Sequence, residues 1–385
     1  MKKKDSKKTV RKFAFASFLN DLGSDMIYPV WPLFVAETLG ANMTILGLID
    51  GIGDAVVSIS QAVSGFLSDR LGKRKVFIWL GYALGSLSRI GYAFTAVWQQ
   101  LFFFRIMDRA GKIRSPPRDA VIADLSDKKN RGANFGFLRA MDNLGAVVGI
   151  LVCIFFSGAL GYKNLFILAA IPSLLAVVLI IFGIRETGNF QNRAFKGFSM
   201  KHLDKNLVLL FVLGGIFSLG FFSYSFLLLF SKKLGFQENW IPVLYLIYTA
   251  TASAVSIPFG RLSDVFGRKK IMMISFFLWI LVCLFFTIAG AQWAVICIFI
   301  LYGIQKGALD PVQKTMVAEL APPDLRASTL GSFQMVQGLI ALPSSFIAGL
   351  LWDQVSPLAP FYFSAALTVI AMILLYFTHE SHRDI

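Results

Sequence analysis

The chain has 385 residues, 56% of them hydrophobic and 15% charged, with a formal charge of +15 at pH 7. At a mean hydropathy of +0.67 this composition excludes an ordinary soluble domain, and the apolar residues come in blocks of the length that crosses a hydrocarbon core as a helix. The basic excess does not describe a nucleic-acid groove, because 25 of the 37 Lys and Arg residues fall in the tails and in alternate loops, against Lys163, Lys232 and Lys233 in the loops between.

That asymmetry places the N-terminus in the cytoplasm. The opening MKKKDSKKTVRK is read as a retained tail, since the apolar segment behind it is too long for a signal peptide and lacks a small-residue cleavage site. Helix 1 is predicted over 13–38 with Asp21 and Asp25, and helix 2 over 43–68 with Asp50 and Asp54. Each pair is spaced i, i+4 and shares a helical face. A charge at the bilayer centre costs about 2.5 to 3.5 kcal/mol on insertion scales, so these acids are read as functional. Helix 3, over 76–96, carries Arg89, read as a packing or interfacial residue. Helix 4, over 98–124, holds Arg105, Asp108, Arg109, Lys112, Arg114, Arg118 and Asp119, more charge than a lipid-facing helix can hold, and Pro116-Pro117 predict a break in its ladder. Helix 5, over 132–158, adds the i, i+3 pair Arg139 and Asp142, then Gly145 to Gly149, a small-residue packing seam. Helix 6 closes the half at 164–184.

The polar stretch 185–205 reads as a cytoplasmic linker between domains 1–184 and 206–385. Helices 7 to 12 are predicted over 206–231, 239–262, 270–290, 292–318, 327–350 and 358–377. Their only charges within or at the end of the predicted spans, away from the helix 8 and 9 ends, are Lys306, Asp310, Lys314 and Glu319 on helix 10, where Pro311 suggests a kink matching that of helix 4. Tyr28, Trp31, Phe222, Tyr224, Tyr245, Tyr248 and Gln334 are substrate-facing candidates, with the polar Asp21, Asp50 and Arg139. Cys153, Cys283 and Cys297 fall within spans as small core residues, and His202, His379 and His382 fall in linker or tail, which excludes an intramembrane histidine relay and a thiolate metal site.

The phrase GFLSDRLGKRK at 65–75 returns as GRLSDVFGRKK at 260–270, an offset of 195 residues. At that offset Pro116 maps onto Pro311, Ala123-Asp124 onto Ala318-Glu319 and Arg131 onto Arg326, with no gap from Gly65 to Arg131. This is a duplicated six-helix half, an arrangement that places a substrate site between the halves of transporters. Gly65 is read as permitting close helix approach and Gly72 a tight turn.

Gly65, Asp69, Arg70, Gly72, Lys73 and Arg74 match the pattern G-x-x-x-D-[RK]-x-G-[RK]-[RK], and Gly260, Asp264, Gly267, Arg268 and Lys269 repeat it with Val265 in place of a basic residue. On these motifs the chain resembles the major facilitator superfamily. The resemblance implies an all-α polytopic membrane protein of twelve transmembrane helices in two pseudo-symmetric six-helix halves. It implies a transporter and no enzyme, with a small-molecule substrate, protons and the lipid bilayer as partners, no cofactor beyond a proton gradient, no resident metal, and no second subunit. The location implied is a plasma membrane of the bacterial inner-membrane type, with both termini cytoplasmic. Asp69 and Lys73 are expected to engage the end of helix 4 at Asp124, and Arg268 to engage Glu319, as conformational locks made unequal by Val265.

Helix 4 further resembles the family pattern L-x-x-x-R-x-x-Q-G-x-G at Leu101, Arg105 and Gly111, with Asp108 and Arg109 replacing the Gln and first Gly. That implies Arg105 as the proton-coupling arginine. Counted at about 1.5 Å per residue, Asp25, Asp54, Arg109 and Asp142 come out near the midplane and are expected to form one network. Burial disfavours an ionised carboxylate and a neighbouring arginine restores it, so an arginine that moves can load and release a proton. Asp25, Asp54, Arg105, Asp108, Arg109 and Asp142 are therefore the coupling candidates, and the second half is expected to supply a Phe-rich substrate wall. Proton-coupled efflux of a small organic solute is the leading reading. Its alternatives are anion symport or facilitated passage along the helix-4 cations, divalent metal export through Asn20, Asp25 and Asp54, and a receptor that does not transport.

Overall fold

A backbone in lipid must satisfy its own polar groups, and these apolar blocks do so as helices. In the computed structural model the described residues are 3–126, 130–184, 205–322 and 325–379, and no strand occurs among them. The helices are α1 (Lys3–Asp25), α2 (Trp31–Leu33), α3 (Met43–Leu71), α4 (Arg74–Ala93), α5 (Trp98–Ala110), α6 (Ser115–Asp124), α7 (Arg131–Gly183), α8 (Lys205–Gly220), α9 (Tyr224–Lys233), α10 (Ile241–Phe266), α11 (Arg268–Ile288), α12 (Gln292–Leu320), α13 (Arg326–Gln354) and α14 (Ala359–Tyr376). They make the twelve predicted crossings. The predicted linker lies, but for Lys205, outside the described residues.

Several crossings are interrupted, each for a local reason. Helix 1 ends at Asp25, passes through a turn containing Pro29, and resumes as α2 and a π-helical turn, Phe34–Thr38. Its start lies within the basic tail, so the tail is largely helix rather than a loose extension. Helix 4 is α5 and α6 joined by a 3₁₀ turn, Gly111–Arg114, after which Pro116 and Pro117 occupy the first turn of α6, where a missing N–H costs no bond. Helix 7 breaks between α8 and α9, which the sequence reading missed, and Ser223 caps α9 by accepting from Ser225 N at 3.3 Å. At about 1.5 Å per residue α7 is far too long for one crossing; Gly161, at φ +68°, divides it into helices 5 and 6. Helix 10, by contrast, runs through Pro311 as one helix without a break like that of helix 4.

Two compact units result, Met1–Gly40 with Val56–Phe195, and Ala41–Ala55 with Lys196–Ile385. The outer part of α3 thus belongs with the second unit rather than with residues 1–184. In the first unit an apolar core gathers Phe13, Ile78, Tyr82, Ile122, Leu138 and Ile180 from helices 1, 3, 4, 5 and 6. In the second, Phe222, Phe226, Phe230, Phe286 and Phe361 pack edge to face or tilted beside Trp279 and Trp352. Cys153 and Cys283 are core residues as expected, whereas Cys297 is exposed.

Candidate functional site

Helix 1 is held on two sides. Gly145 and Gly149 of α7 lie so close to it that a Cβ at either would strike Phe18 O or Leu22 O, which identifies the small-residue seam as a helix-1 contact. From α4, Arg89 enters where Gly23 leaves room. Its guanidinium is 2% exposed and donates to Asn20 O and Asn20 Oδ1 at 3.3 and 3.4 Å, Ser24 Oγ at 2.6 Å, Ala169 O at 3.3 Å and Ser173 Oγ. Arg89 therefore fastens α1 to α7 and is a buried packing node, not an interfacial residue. Its hydroxyl and carbonyl acceptors make burial of the charge tolerable.

With the helix so clamped, Ser17, Asp21 and Asp25 lie along one face of α1, and Tyr28 follows in the turn beyond it. Asn20 Nδ2 donates to Asp21 at 3.0 Å. Asp25 accepts no hydrogen bond and makes no ion pair among the described residues, yet lies within electrostatic reach of Lys112, Arg89, Arg109 and Asp21. Arg109 donates to Tyr28 Oη at 3.1 Å with its guanidinium 5.0 Å from that ring's centre, and approaches Asp108 at 3.8 Å. Asp108 also lies 3.4 Å from Ser88 Oγ.

Three further helix-4 cations, Arg105, Arg114 and Arg118, are committed within the same unit, whereas Lys112 makes no hydrogen bond or ion pair among the described residues. Arg105 stacks over Trp31 at 4.2 Å, and Arg114 lies over Tyr82 and donates to Gly111 O at 2.8 Å. Arg118 pairs with Asp119 at 2.9 Å, donates to Ser17 Oγ and lies 3.9 Å from Asp142, which Arg139 reaches at 3.2 Å. Arg105, Arg114 and Arg118 are each at most 5% exposed. For Arg105, Arg114 and Arg118 the expected row of anion-binding cations is thus replaced by buried internal contacts. The expected four-member network is divided accordingly: Asp142 joins Arg118 and Arg139, Asp25 faces Arg109 and Lys112, and Asp54 groups with the second unit. Trp31, read as substrate-facing, is fully buried beneath Arg105 and Tyr92. Asn20, offered as a metal ligand, has its oxygen on Arg89 and its nitrogen on Asp21, and no cluster of three His, Cys, Asp or Glu side chains forms among the described residues.

In the second unit, Asp50 is 3% exposed and accepts from Ser223 Oγ at 2.7 Å and Ser225 Oγ at 2.6 Å, at the start of α9. The helix-7 break is thereby tied to α3, and Asp50 is a closed hydrogen-bonded node rather than an open substrate contact. Asp353, which the sequence reading did not single out, accepts from Thr44 N at 2.8 Å and Met43 N at 3.3 Å and so caps α3. Asp54 is exposed and within electrostatic reach of Lys306. Lys306 pairs with Asp310 at 3.1 Å and lies 5.1 Å over Phe221. Beside it runs a tyrosine series: Tyr224 to Tyr245 at 5.2 Å, Tyr245 to Tyr248 at 5.9 Å, and Tyr248 stacked on Tyr302 at 4.3 Å. Phe222 instead is buried in the aromatic core, and Gln334 is half-buried on α13. The substrate-facing candidates of this half thus divide between a tyrosine series beside one ion pair and the buried Phe222.

The repeated loops are alike but not in the expected register. Gly72 and Gly267 both turn at positive φ, +63° and +97°. Arg74, not Lys73, bridges Asp69 at 2.9 Å and Asp124 at 2.5 Å, while Lys73 is exposed in extended backbone before α4 and Arg70 is exposed. In the second copy Arg268 reaches Glu319 at 3.3 Å and pairs with Asp264. Arg268 stands one residue earlier than the offset of 195 requires of an Arg74 counterpart, because α11 follows Gly267 directly whereas Lys73 separates Gly72 from α4. Val265 is 78% exposed and takes no part, and in each copy one arginine pairs with both acids. Gly65 has only an ordinary 3.6 Å neighbour for a Cβ and Gly260 has none, so neither is required for close approach.

The sequence matches the Major Facilitator Superfamily over residues 13–253 and 210–384. An uncharacterized MFS-type transporter of Methanocaldococcus jannaschii is 35% identical over 379 residues, 96% of this chain and 94% of that protein. The quinolone resistance protein NorA of Staphylococcus aureus is 24% identical over 382 residues, 96% of both. Among solved structures, the nucleoside transporter NupG matches at a TM-score of 0.81 with 15% identity, over 96% of this chain and all of that one.

Proposed function

The chain belongs to the major facilitator superfamily, and we propose that it is a proton-coupled antiporter that exports a small organic solute from the cytoplasm. The carrying observation is Asp25: an acid on a clamped helix, without a hydrogen bond of its own, within electrostatic reach of Asp21 and of Lys112, Arg89 and Arg109. A carboxylate with cations in reach but no fixed partner can exchange a proton when those cations move, whereas the hydrogen-bonded Asp50 and the doubly paired Asp142 are held. Arg109 is the moving partner, its present contacts being the Tyr28 ring and hydroxyl and the adjacent Asp108. The tyrosine series with Lys306 and Asp310 offers flat apolar faces and one pair of charges, which suits an aromatic solute. Resemblance to NorA, named for quinolone resistance, supports export as the direction. The account has the protein as a monomer in a plasma membrane with cytoplasmic termini, driven by the proton gradient and needing no cofactor.

Reconstituted vesicles with a lumenal pH dye test this. With an acidic lumen, a lipophilic cation, a zwitterionic quinolone, an aromatic carboxylate and manganese are added in turn to wild type and Asp25→Asn. Proton efflux evoked by an organic compound in wild type and absent in the variant is expected. Uptake without proton movement, alike in both, refutes coupling; a response to manganese alone replaces the solute by a metal.

A further inference from the structure

At the cytoplasmic ends of α11, α12 and α13 lies a cleft of about 420 Å³ lined by Arg268, Lys314, Thr315, Ala318, Glu319 and Arg326. We propose that this cleft is a binding site for a phosphate group, distinct from the transport path.

Three cations and one acid line it, and the acid is already neutralised. Glu319 lies 3.3 Å from Arg268, whose guanidinium also pairs with Asp264 outside the lining, so Arg268 is engaged by carboxylates and Lys314 with Arg326 carries the available positive charge of the cleft. Lys314 and Arg326 are exposed, and no ion pair or hydrogen bond holds either among the described residues. Lys314 and Ala318, like Thr315 and Glu319, are spaced i, i+4, so the α12 side of the cleft presents its ammonium one turn from a small residue that leaves room for a ligand. Arg268 and Arg326 are the first residues of α11 and α13, and neither helix has a side-chain cap. Their first N–H groups add to the positive field of Lys314 and Arg326. Arginine offers a planar fork for phosphate oxygens and lysine a point charge, so the set suits a tetrahedral anion better than a carboxylate.

The internal repeat supplies a comparison. In the first half the residue in register with Lys314 is Asp119, which pairs with Arg118 at 2.9 Å and faces Arg139 at 3.8 Å. The duplicated framework there carries an acid, so the cationic cleft is a property of the second copy and not of the repeated lock. Sitting where cytoplasmic loops meet the membrane surface, the cleft can receive phosphate from an anionic lipid headgroup or from a soluble phosphate compound.

The test uses the full chain in neutral detergent, titrated with inorganic phosphate, with dihexanoyl-phosphatidylglycerol, and with potassium chloride at matched ionic strength. The melting midpoint is followed in wild type, in the double variant Lys314→Gln with Arg326→Gln, and in Lys314→Arg. Both altered side chains are exposed, so the fold should tolerate them. Expected is saturable stabilisation of wild type by at least one phosphate probe but not by chloride, weakened by about ten-fold or more in the double variant and kept in Lys314→Arg. Response to the lipid alone assigns the headgroup, and response to inorganic phosphate assigns the soluble source. No response to either probe, or equal responses in wild type and the double variant, overturns the site.

Discussion

Replacing Arg74 by Gln tests whether the first cytoplasmic lock is built as described. The substitution removes two charge-assisted bonds, 2.9 Å to Asp69 and 2.5 Å to Asp124. The acids' side chains are 50% and 55% exposed while that of Arg74 is 9% exposed, so water screens each pair from one side only. A fully exposed pair contributes about 0.2 to 1 kcal/mol and a hydrogen bond to a charged group about 1.5 to 3. The intermediate setting puts the combined loss at about 1 to 2 kcal/mol. A fall of a few degrees in the melting midpoint of the detergent-solubilised protein is expected. Lys73→Gln, at an exposed side chain, should change stability by no more than about 0.5 kcal/mol. If Lys73→Gln is as costly as Arg74→Gln, the pairing belongs to Lys73 and the one-residue shift between the repeats is wrong.

The same melting assay reads further substitutions at three places. Gly81→Val would place a Cβ 2.5 Å from Gly111 O and 2.7 Å from Arg114 Cβ, forcing α4 from the 3₁₀ turn at a cost of about 1 to 3 kcal/mol, whereas Gly260→Ala, with open space around it, should be neutral or better. Ser225→Ala removes a donor to the buried Asp50 carboxylate and should lower stability by about 1 to 3 kcal/mol, with Asp50→Asn partly relieving the loss in the double variant. Arg89→Leu strands acceptors on Asn20, Ser24, Ala169 and Ser173, and accumulation of folded protein should fall sharply; normal yield and melting would show that helix 1 does not depend on the Arg89 clamp.

Much of this architecture was legible in the sequence because lipid imposes a length and a composition on every crossing. The loop glycines were legible too, since Gly72 and Gly267 stand where the chain must turn with positive φ. What escaped was geometry that spacing does not encode. A single residue between Gly72 and α4 moves the lock from Lys73 to Arg74, yet leaves a gapless alignment undisturbed. Asp50 finds its serines more than 170 residues away, and those serines mark a helix break that an unbroken apolar run conceals. Arg89 stood out as a charge in an apolar helix, but only the opposing Gly23, Ser24 and Ser173 reveal why it is there. The helix-4 row suggested an anion path because a list of cations does not show that Trp31, Tyr82 and Asp119 already occupy them.

The most direct test of the account separates exchange from coupling in Asp25→Asn vesicles loaded with the organic compound that wild type carries. The account predicts that the variant still exchanges labelled for unlabelled compound across the membrane while losing accumulation driven by a pH gradient. Undiminished pH-driven accumulation in the variant would contradict it and remove Asp25 from the proton path.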